Sequence, residues 1–148
     1  MKKIYFILCI ASIGLVFHSC KKNKNDENPE TGILGKWNAE KFISVFSENG
    51  TVLQRDTTHY ISPDYMTVEF KKDNVFILTD FSDGDLETEQ LYYKVEGNQL
   101  VLKESAQDPE DETYTITITG KKLHLNRSDI QKSGNDTYKW EYNFYLNK

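Results

Sequence analysis

The sequence predicts an all-β protein, a single antiparallel up-and-down meander barrel of about eight or nine strands. From residue 35 onward, apolar residues alternate with polar ones, as in strands with one buried face and one wet face. Short turn sequences separate these segments, and no segment after residue 33 has a convincing helical period. A meander of hairpins leaves two free edges, which closure into a barrel removes.

The strands are assigned from their alternating apolar residues. In chain order these are Met66-Val68-Phe70, Phe76-Leu78, Leu91-Tyr93-Val95, Leu100-Leu102, Tyr114-Ile116-Ile118, Leu123-Leu125 and Trp140-Tyr142-Phe144-Leu146. A first strand begins at Gly35, and Thr51 to Tyr60 is predicted to be an extra or extended strand.

Tight turns are expected where residues that tolerate positive φ interrupt the pattern. These sites are Asn49-Gly50, Lys72-Asp73-Asn74, Asp83-Gly84, Gly97-Asn98 and Gly120-Lys121. Two longer polar loops are expected at Ser105 to Glu112 and at Asp129 to Asp136.

Residues 1–19 have the layout of a secretory signal peptide, with two lysines followed by the apolar stretch Ile4 to Phe17. That stretch is shorter than the roughly 20 apolar residues of a membrane-spanning helix. Ser19-Cys20 ends it and resembles the bacterial lipobox, which implies lipidation of Cys20 and anchoring to a membrane. Phe17 and His18 depart from the usual lipobox residues, and a plain secreted protein is the alternative.

Residues 20–32 are predicted to be the lipidated cysteine and a disordered tether, and residues 33–148 the barrel domain. The segment from Lys21 to Thr31 contains no apolar residue and cannot bury a core. We expect the protein in the cell envelope, lipid-anchored at the outer membrane. Asp26-Glu27 loosely resembles a surface-export signal, and the lysines around it leave the periplasmic and surface faces both open.

Composition and charge exclude several classes of function. Without the signal, 16 basic residues oppose 23 acidic ones, a net charge of −7. No basic face suited to nucleic acid is visible. Because the only other cysteine, Cys9, lies in the signal, no internal disulfide is expected.

Enzyme chemistry and a cofactor are not expected. The two histidines of the mature chain, His59 and His124, fall on separate predicted strands and make a weak metal site. No nucleophile lies on a recognisable strained turn. The acidic run from Asp80 to Glu89 suggests calcium, but Phe81-Ser82 interrupts the spacing of a calcium loop. A hairpin tip with solvated charges is the preferred interpretation, and no metal is predicted.

Four stretches together resemble the lipocalin-like lipoproteins of the Bacteroidota. The first is the G-x-W motif at Gly35-Lys36-Trp37. Two features depart from the family pattern: Asn74 stands where the family has a turn glycine, and there is an extra strand. The other stretches are Thr67 to Phe70 with Lys71 to Asn74, Tyr93 to Leu102, and Phe144 to Lys148.

The resemblance implies that Trp37 closes one end of the barrel under a basic residue. Lys148 is the candidate if the last strand closes the barrel, and Arg127 is the candidate if that strand is an addition. We favour Lys148 because the resemblance covers the last strand. Tyr93 and Tyr114 are candidate ligand contacts, each expected to have a free hydroxyl.

Two functional hypotheses follow. In the first, the barrel binds a small apolar or amphipathic ligand in its lumen or at its mouth. In the second, a filled barrel docks onto another envelope protein. A closed lumen smaller than about 300 Å³ favours the second hypothesis. Separately, Asp56-Thr57-Thr58 resembles an O-glycosylation motif, although a plain solvent-facing strand explains Thr57 equally.

Overall fold

The computed structural model describes residues 29–105 and 112–148. The predicted signal peptide, Cys20, most of the predicted tether and most of the predicted loop after Ser105 lie outside these ranges. The elements are α1 Pro29–Gly32, β1 Gly35–Glu48, β2 Thr51–His59, β3 Tyr65–Phe70, β4 Val75–Ser82, β5 Asp85–Glu96, β6 Gln99–Lys103, β7 Glu112–Thr119, β8 Lys122–Ser133 and β9 Asp136–Asn147.

The strands form one antiparallel meander that closes on itself. Each strand from β3 to β9 pairs with its neighbour in sequence, and β9 pairs with β1. The eight strands β1 and β3–β9 therefore make a closed barrel, and β2 is added outside it on the edge of β1. This confirms the all-β meander barrel and the extra strand at 51–60.

Strand β1 is 14 residues long, and it contributes both to the barrel wall and to a sheet that extends beyond it. Its first residues, Gly35 to Asn38, pair with β3 and complete the barrel wall. Its later residues, Lys41 to Glu48, pair with β2 on the same edge. Strands β8, β9, β1 and β2 therefore continue as a sheet beyond the barrel wall.

The predicted turns lie at alternate ends of the barrel. Backbone φ is positive at Asn49, Asn74, Asp83, Gly97 and Gly120, which confirms the five turn assignments. The turns after β3, β5 and β7 lie at the end that holds Trp37, the closed end. The turns after β1, β4 and β8 lie at the opposite end, the mouth.

The predicted loop at Asp129 to Asp136 is wrong. Strand β8 continues to Ser133 and turns at Gly134 into β9. Both faces of this part of β8 are polar or exposed because it lies past the barrel core, so it lacks the apolar alternation that marks the other strands.

The end of the predicted tether also differs from expectation. Residues 29–32 form one helical turn, α1, which contacts β5 and β7. Ile33, which follows it, is completely buried, and this burial holds the turn against the closed end. No helix in the described ranges is long and apolar enough to cross a membrane.

The core lies in the barrel toward the closed end. Its largest fully buried side chains are Trp37, Phe70, Ile33, Leu100, Leu123 and Leu146. Apart from Ile33, which precedes β1, these residues come from strands throughout the meander, so the core depends on closure of the whole barrel.

Candidate functional site

The closed end is sealed by Trp37, which has no solvent exposure. Its Nε1 donates a hydrogen bond of 2.6 Å to the carbonyl of Ile33. The Lys148 ammonium lies 4.4 Å from the indole centroid and donates a hydrogen bond of 3.0 Å to the Gly32 carbonyl. Lys148, on the strand that closes the barrel, is thus the basic residue that packs on Trp37.

Arg127 does not reach Trp37, so the alternative assignment is wrong. The predicted loop at Asp129 to Asp136 would put Arg127 near the end of its strand, but β8 runs on to Ser133 and leaves Arg127 in the middle. Its guanidinium pairs with Glu112 and, at 3.0 Å, with Asp129. Hydrogen bonding to Asp129, the largest cause, raises the pKa of Arg127. It also lies 5.8 Å from the Tyr142 ring.

Tyr93 lies at the closed end and does not line the barrel cavity. Its hydroxyl donates a hydrogen bond of 2.7 Å to the Lys71 carbonyl, and its ring packs edge-on against Phe70 at 5.2 Å. Burial, followed by the charge of Asp73, raises its pKa. The expected free hydroxyl is absent because a backbone carbonyl of the β3–β4 turn accepts its hydrogen bond.

Tyr114 does line the cavity, but its hydroxyl is also engaged. It donates a hydrogen bond of 2.9 Å to the Glu112 carboxylate. Burial, and after it the hydrogen bond and charge of Glu112, raises the pKa of Tyr114 to about 12. Its available surface is therefore the ring and not the hydroxyl.

A cavity of about 110 Å³ lies inside the barrel. Ten of its twelve lining residues are apolar or aromatic, and the other two are glutamates. The lining residues are Met66, Val68, Phe76, Leu78, Glu89, Leu91, Leu102, Glu112, Tyr114, Leu125, Phe144 and Leu146.

The β4–β5 hairpin forms an acidic wall of the mouth, made of Asp80, Glu87 and Glu89. Asp80 pairs with Met66, which faces the cavity, and with Glu87 on β5. The three carboxylates therefore share the inward face. They line a recess of about 480 Å³ that shares Leu78 and Glu89 with the barrel cavity.

The sheet on the other side forms an aromatic wall, made of Phe42, Phe46, Tyr138, Trp140 and Tyr142. Phe42 lies 4.6 Å from the Phe144 ring of the cavity and 6.4 Å from Tyr142. Phe46 lies 5.1 Å from Trp140 and 6.3 Å from Tyr138. All five rings are partly exposed.

Phe42 and Phe46 were not predicted from the sequence to face inward. Trp37 and Ala39 face inward, and strict alternation would then place Lys41 inward and Phe42 outward. A bulge between Ala39 and Lys41 shifts the register by one residue, which exchanges the two faces. The sequence signal for their inward position is the two-residue spacing of Phe42, Ser44 and Phe46, which places both aromatic rings on one face of the second half of the strand.

The histidines and the acidic run bring no catalytic group together. His124 Nε2 lies 3.0 Å from Asn143 Oδ1, and its ring stacks on Tyr145 at 4.5 Å. His59 and Thr57 are exposed on β2. The described part of the chain contains no group of three metal-binding side chains placed to hold an ion.

A small closed meander barrel of eight antiparallel strands, with a tryptophan under a lysine across one end, is the arrangement of the lipocalin-like class. The chain belongs to the lipocalin-like domain family, whose model matches residues 33–125. No curated protein matches the sequence.

Two solved structures are similar at 15% sequence identity. A lipocalin-like protein from Bacteroides uniformis ATCC 8492 covers 79% of this chain and 98% of its own, with a TM-score of 0.46. An uncharacterised protein from Bacteroides eggerthii DSM 20697 covers 78% and 99%, with a TM-score of 0.43.

Proposed function

We propose that this lipocalin-like barrel binds a small amphipathic molecule at its mouth, with the apolar end of the ligand in the barrel cavity. The apolar cavity reached from the mouth is the observation that supports this function most directly. Apolar pockets with a few polar groups at one side are the usual form of small-molecule sites. Glu89 and Glu112 are those polar groups here.

The size of the cavity determines where the ligand lies. At about 110 Å³, the lumen is below the roughly 300 Å³ low end of ligand pockets. The lumen alone is therefore too small for a ligand of ordinary size. The recess along the β4–β5 hairpin continues the site through Leu78 and Glu89, so most of the ligand would lie in the mouth.

The binding test uses N-phenyl-1-naphthylamine, a neutral probe that fluoresces in apolar surroundings. Leu78→Trp should fill the junction of cavity and recess and lower probe affinity at least tenfold. Ile77→Trp, whose side chain faces outward on the same strand, is the matched control and should bind like the unmodified protein. Urea unfolding of both variants separates loss of the site from loss of the fold.

Native mass spectrometry of protein purified from its own host adds an independent measurement. A retained small molecule would support the proposal. An apo mass together with no probe fluorescence would overturn it.

The second candidate function is an envelope-protein interaction module. The small lumen supports it, because a barrel filled by its own side chains offers its surface instead. The partly exposed aromatic wall is the surface such a partner would cover, since aromatic residues are enriched in protein interfaces. The apo result just described would favour this function.

We further propose that Cys20 carries the lipid and that the protein is anchored at the outer membrane. The apolar stretch that ends at Ser19-Cys20 supports the anchor, and diacylation supplies the two chains needed for stable attachment. Cys20→Ala should give a soluble exported protein or an uncleaved precursor, without incorporation of labelled fatty acid. Label on the variant would rule out this attachment site, and density-gradient separation of the membranes tests the location.

A further inference from the structure

The two walls of the mouth carry different chemistry and lie on opposite sides of the barrel. In the closed order of eight strands, β6 and β7 separate β5 from β8, and β3 separates β4 from β1. The inward face of the β4–β5 hairpin is acidic, and the inward face of the β8–β9–β1 sheet is aromatic. Glu89 and Phe144 meet in the lining of the same cavity.

The charge of the acidic wall has no basic partner among the residues that the structure describes. Among residues 29–105 and 112–148, no lysine or arginine forms an ion pair with Asp80, Glu87 or Glu89. Glu112, on the other side of the cavity, is compensated by Arg127. The acidic wall therefore presents net negative charge to whatever enters the mouth.

Asp80 supplies an independent indication that a donor is missing. Its Oδ1 is buried from solvent and has no hydrogen-bond partner. Buried acceptors are satisfied in the great majority of cases, so an unsatisfied one calls for an explanation. A ligand that brings an N–H donor to the inward face of β4 would provide that partner.

The aromatic wall favours the same kind of ligand. The faces of aromatic rings attract cations through the ring quadrupole. This wall already holds one cation within the protein, since the Arg127 guanidinium lies 5.8 Å from the Tyr142 ring. A cation between the two walls would be attracted from both sides.

We propose that the ligand of the mouth is cationic, an amine that carries an apolar or aromatic group. Its ammonium lies between the acidic wall and the aromatic wall and donates to Asp80 and Glu89, while its apolar group enters the barrel cavity. This inference rests on the proposed function and narrows it to one chemical class.

The test compares three ligands with the same eight-carbon chain: octylammonium, 1-octanol and octanoate. Each displaces N-phenyl-1-naphthylamine from the full mature domain at neutral pH. Octylammonium should bind at least tenfold more tightly than 1-octanol, and octanoate should bind most weakly. The preference should decrease as salt increases, because the mouth is open to solvent and its charges are screened.

Paired variants assign the preference to the acidic wall. The double variant Asp80→Asn with Glu89→Gln should lower the preference for octylammonium over 1-octanol at least fivefold. Glu69→Gln removes an outward-facing carboxylate from neighbouring β3 and should leave the preference intact.

The outcomes separate this inference from the function on which it rests. Equal binding of all three ligands would overturn the inference that the ligand is cationic, but it would not contradict the proposed binding of an amphipathic molecule. Binding of none of them, with no probe response, would overturn both. An undiminished preference in the double variant would also contradict the inference, because Asp80 and Glu89 would then not hold the ammonium.

Discussion

The closed end and the mouth of this barrel use aromatic residues in opposite ways. At the closed end, Trp37 is completely buried, its N–H is hydrogen-bonded, and Lys148 covers its ring. At the mouth, Trp140 is partly exposed and stacks only on its neighbours. Asp80 there retains a buried oxygen without a donor. The fully buried, hydrogen-bonded contacts are therefore concentrated at one end, and the partly exposed inward-facing side chains lie at the other, where we propose that the ligand binds.

The physical basis of this division is the unequal length of the strands. All eight barrel strands contribute to the closed end, so every side chain there has neighbours on each side. Only the long strands reach past the barrel wall, and β5 continues seven residues beyond its pairing with β6. Their inward faces are therefore left for a ligand or partner to cover.

Removal of the closing tryptophan should have the largest effect on stability. Trp37→Ala deletes a fully buried indole and its hydrogen bond to Ile33, which should cost about 3–5 kcal/mol of unfolding free energy. Urea unfolding followed by circular dichroism measures the loss. A loss below about 1 kcal/mol would mean that the closed end does not hold the barrel together.

The lysine over the tryptophan should have the next largest effect. Lys148→Met keeps the length of the side chain but removes the cation over the indole and the hydrogen bond to Gly32. We expect a loss of roughly 1–2 kcal/mol, measured by urea unfolding. Lys121→Met, an exposed lysine of the nearby turn, is the control and should stay within about 0.5 kcal/mol.

The tryptophan of the aromatic wall tests the comparison directly. Trp140→Ala removes a ring that is only partly buried and should cost about 1 kcal/mol, well below the cost of Trp37→Ala. The affinity of the Trp140→Ala variant for octylammonium should fall at least fivefold. Equal destabilisation by the two tryptophan substitutions would show that the mouth is part of the structural core.

Alkaline pH should produce the smallest effect, through Tyr114. Its pKa is raised from 10.0 to about 12 in the folded protein, so the folded state holds its proton more tightly than the unfolded chain. The resulting stabilisation is complete below pH 10 and is lost as pH rises toward 12.

The measurement is the urea midpoint at intervals from pH 8 to pH 12. In Tyr114→Phe the decrease over the upper part of this range should be shallower than in the unmodified protein. Tyr93 and Tyr60, whose pKa values are also raised by burial, should account for part of the decrease that remains. An identical decrease of the urea midpoint in both proteins would contradict the raised pKa of Tyr114 and, with it, the burial of its hydroxyl beside Glu112.

Prediction from the sequence succeeded where local chemistry fixes the backbone. Asn49, Asn74 and Asp83 adopt positive φ at the turns assigned to them, because these residues tolerate that conformation. The alternation on β7, from Tyr114 to Ile118, matches its burial pattern, because successive side chains of a strand point to opposite faces and only one face of β7 lies in the core.

Prediction failed where a strand left the barrel or changed its register. The second half of β8 has no apolar alternation, so it was assigned to a loop. The bulge after Ala39 has no strong sequence signal, so the inward positions of Phe42 and Phe46 were missed. The hydroxyls of Tyr93 and Tyr114 were expected to be free because their partners, Lys71 and Glu112, depend on side-chain packing and not on sequence spacing.

The sequence by itself determined the class of fold and the number of strands to within one, since these follow from periodicity and turn residues. Its resemblance to the lipocalin-like lipoproteins implied the tryptophan that closes the barrel. Only the tertiary structure decided that β9 closes the barrel, and with it that Lys148 and not Arg127 lies over Trp37. It also decided that an acidic hairpin faces an aromatic sheet across the mouth. The reason is physical: alternation specifies which side chains share a face, but strand pairing around a closed barrel specifies which faces meet.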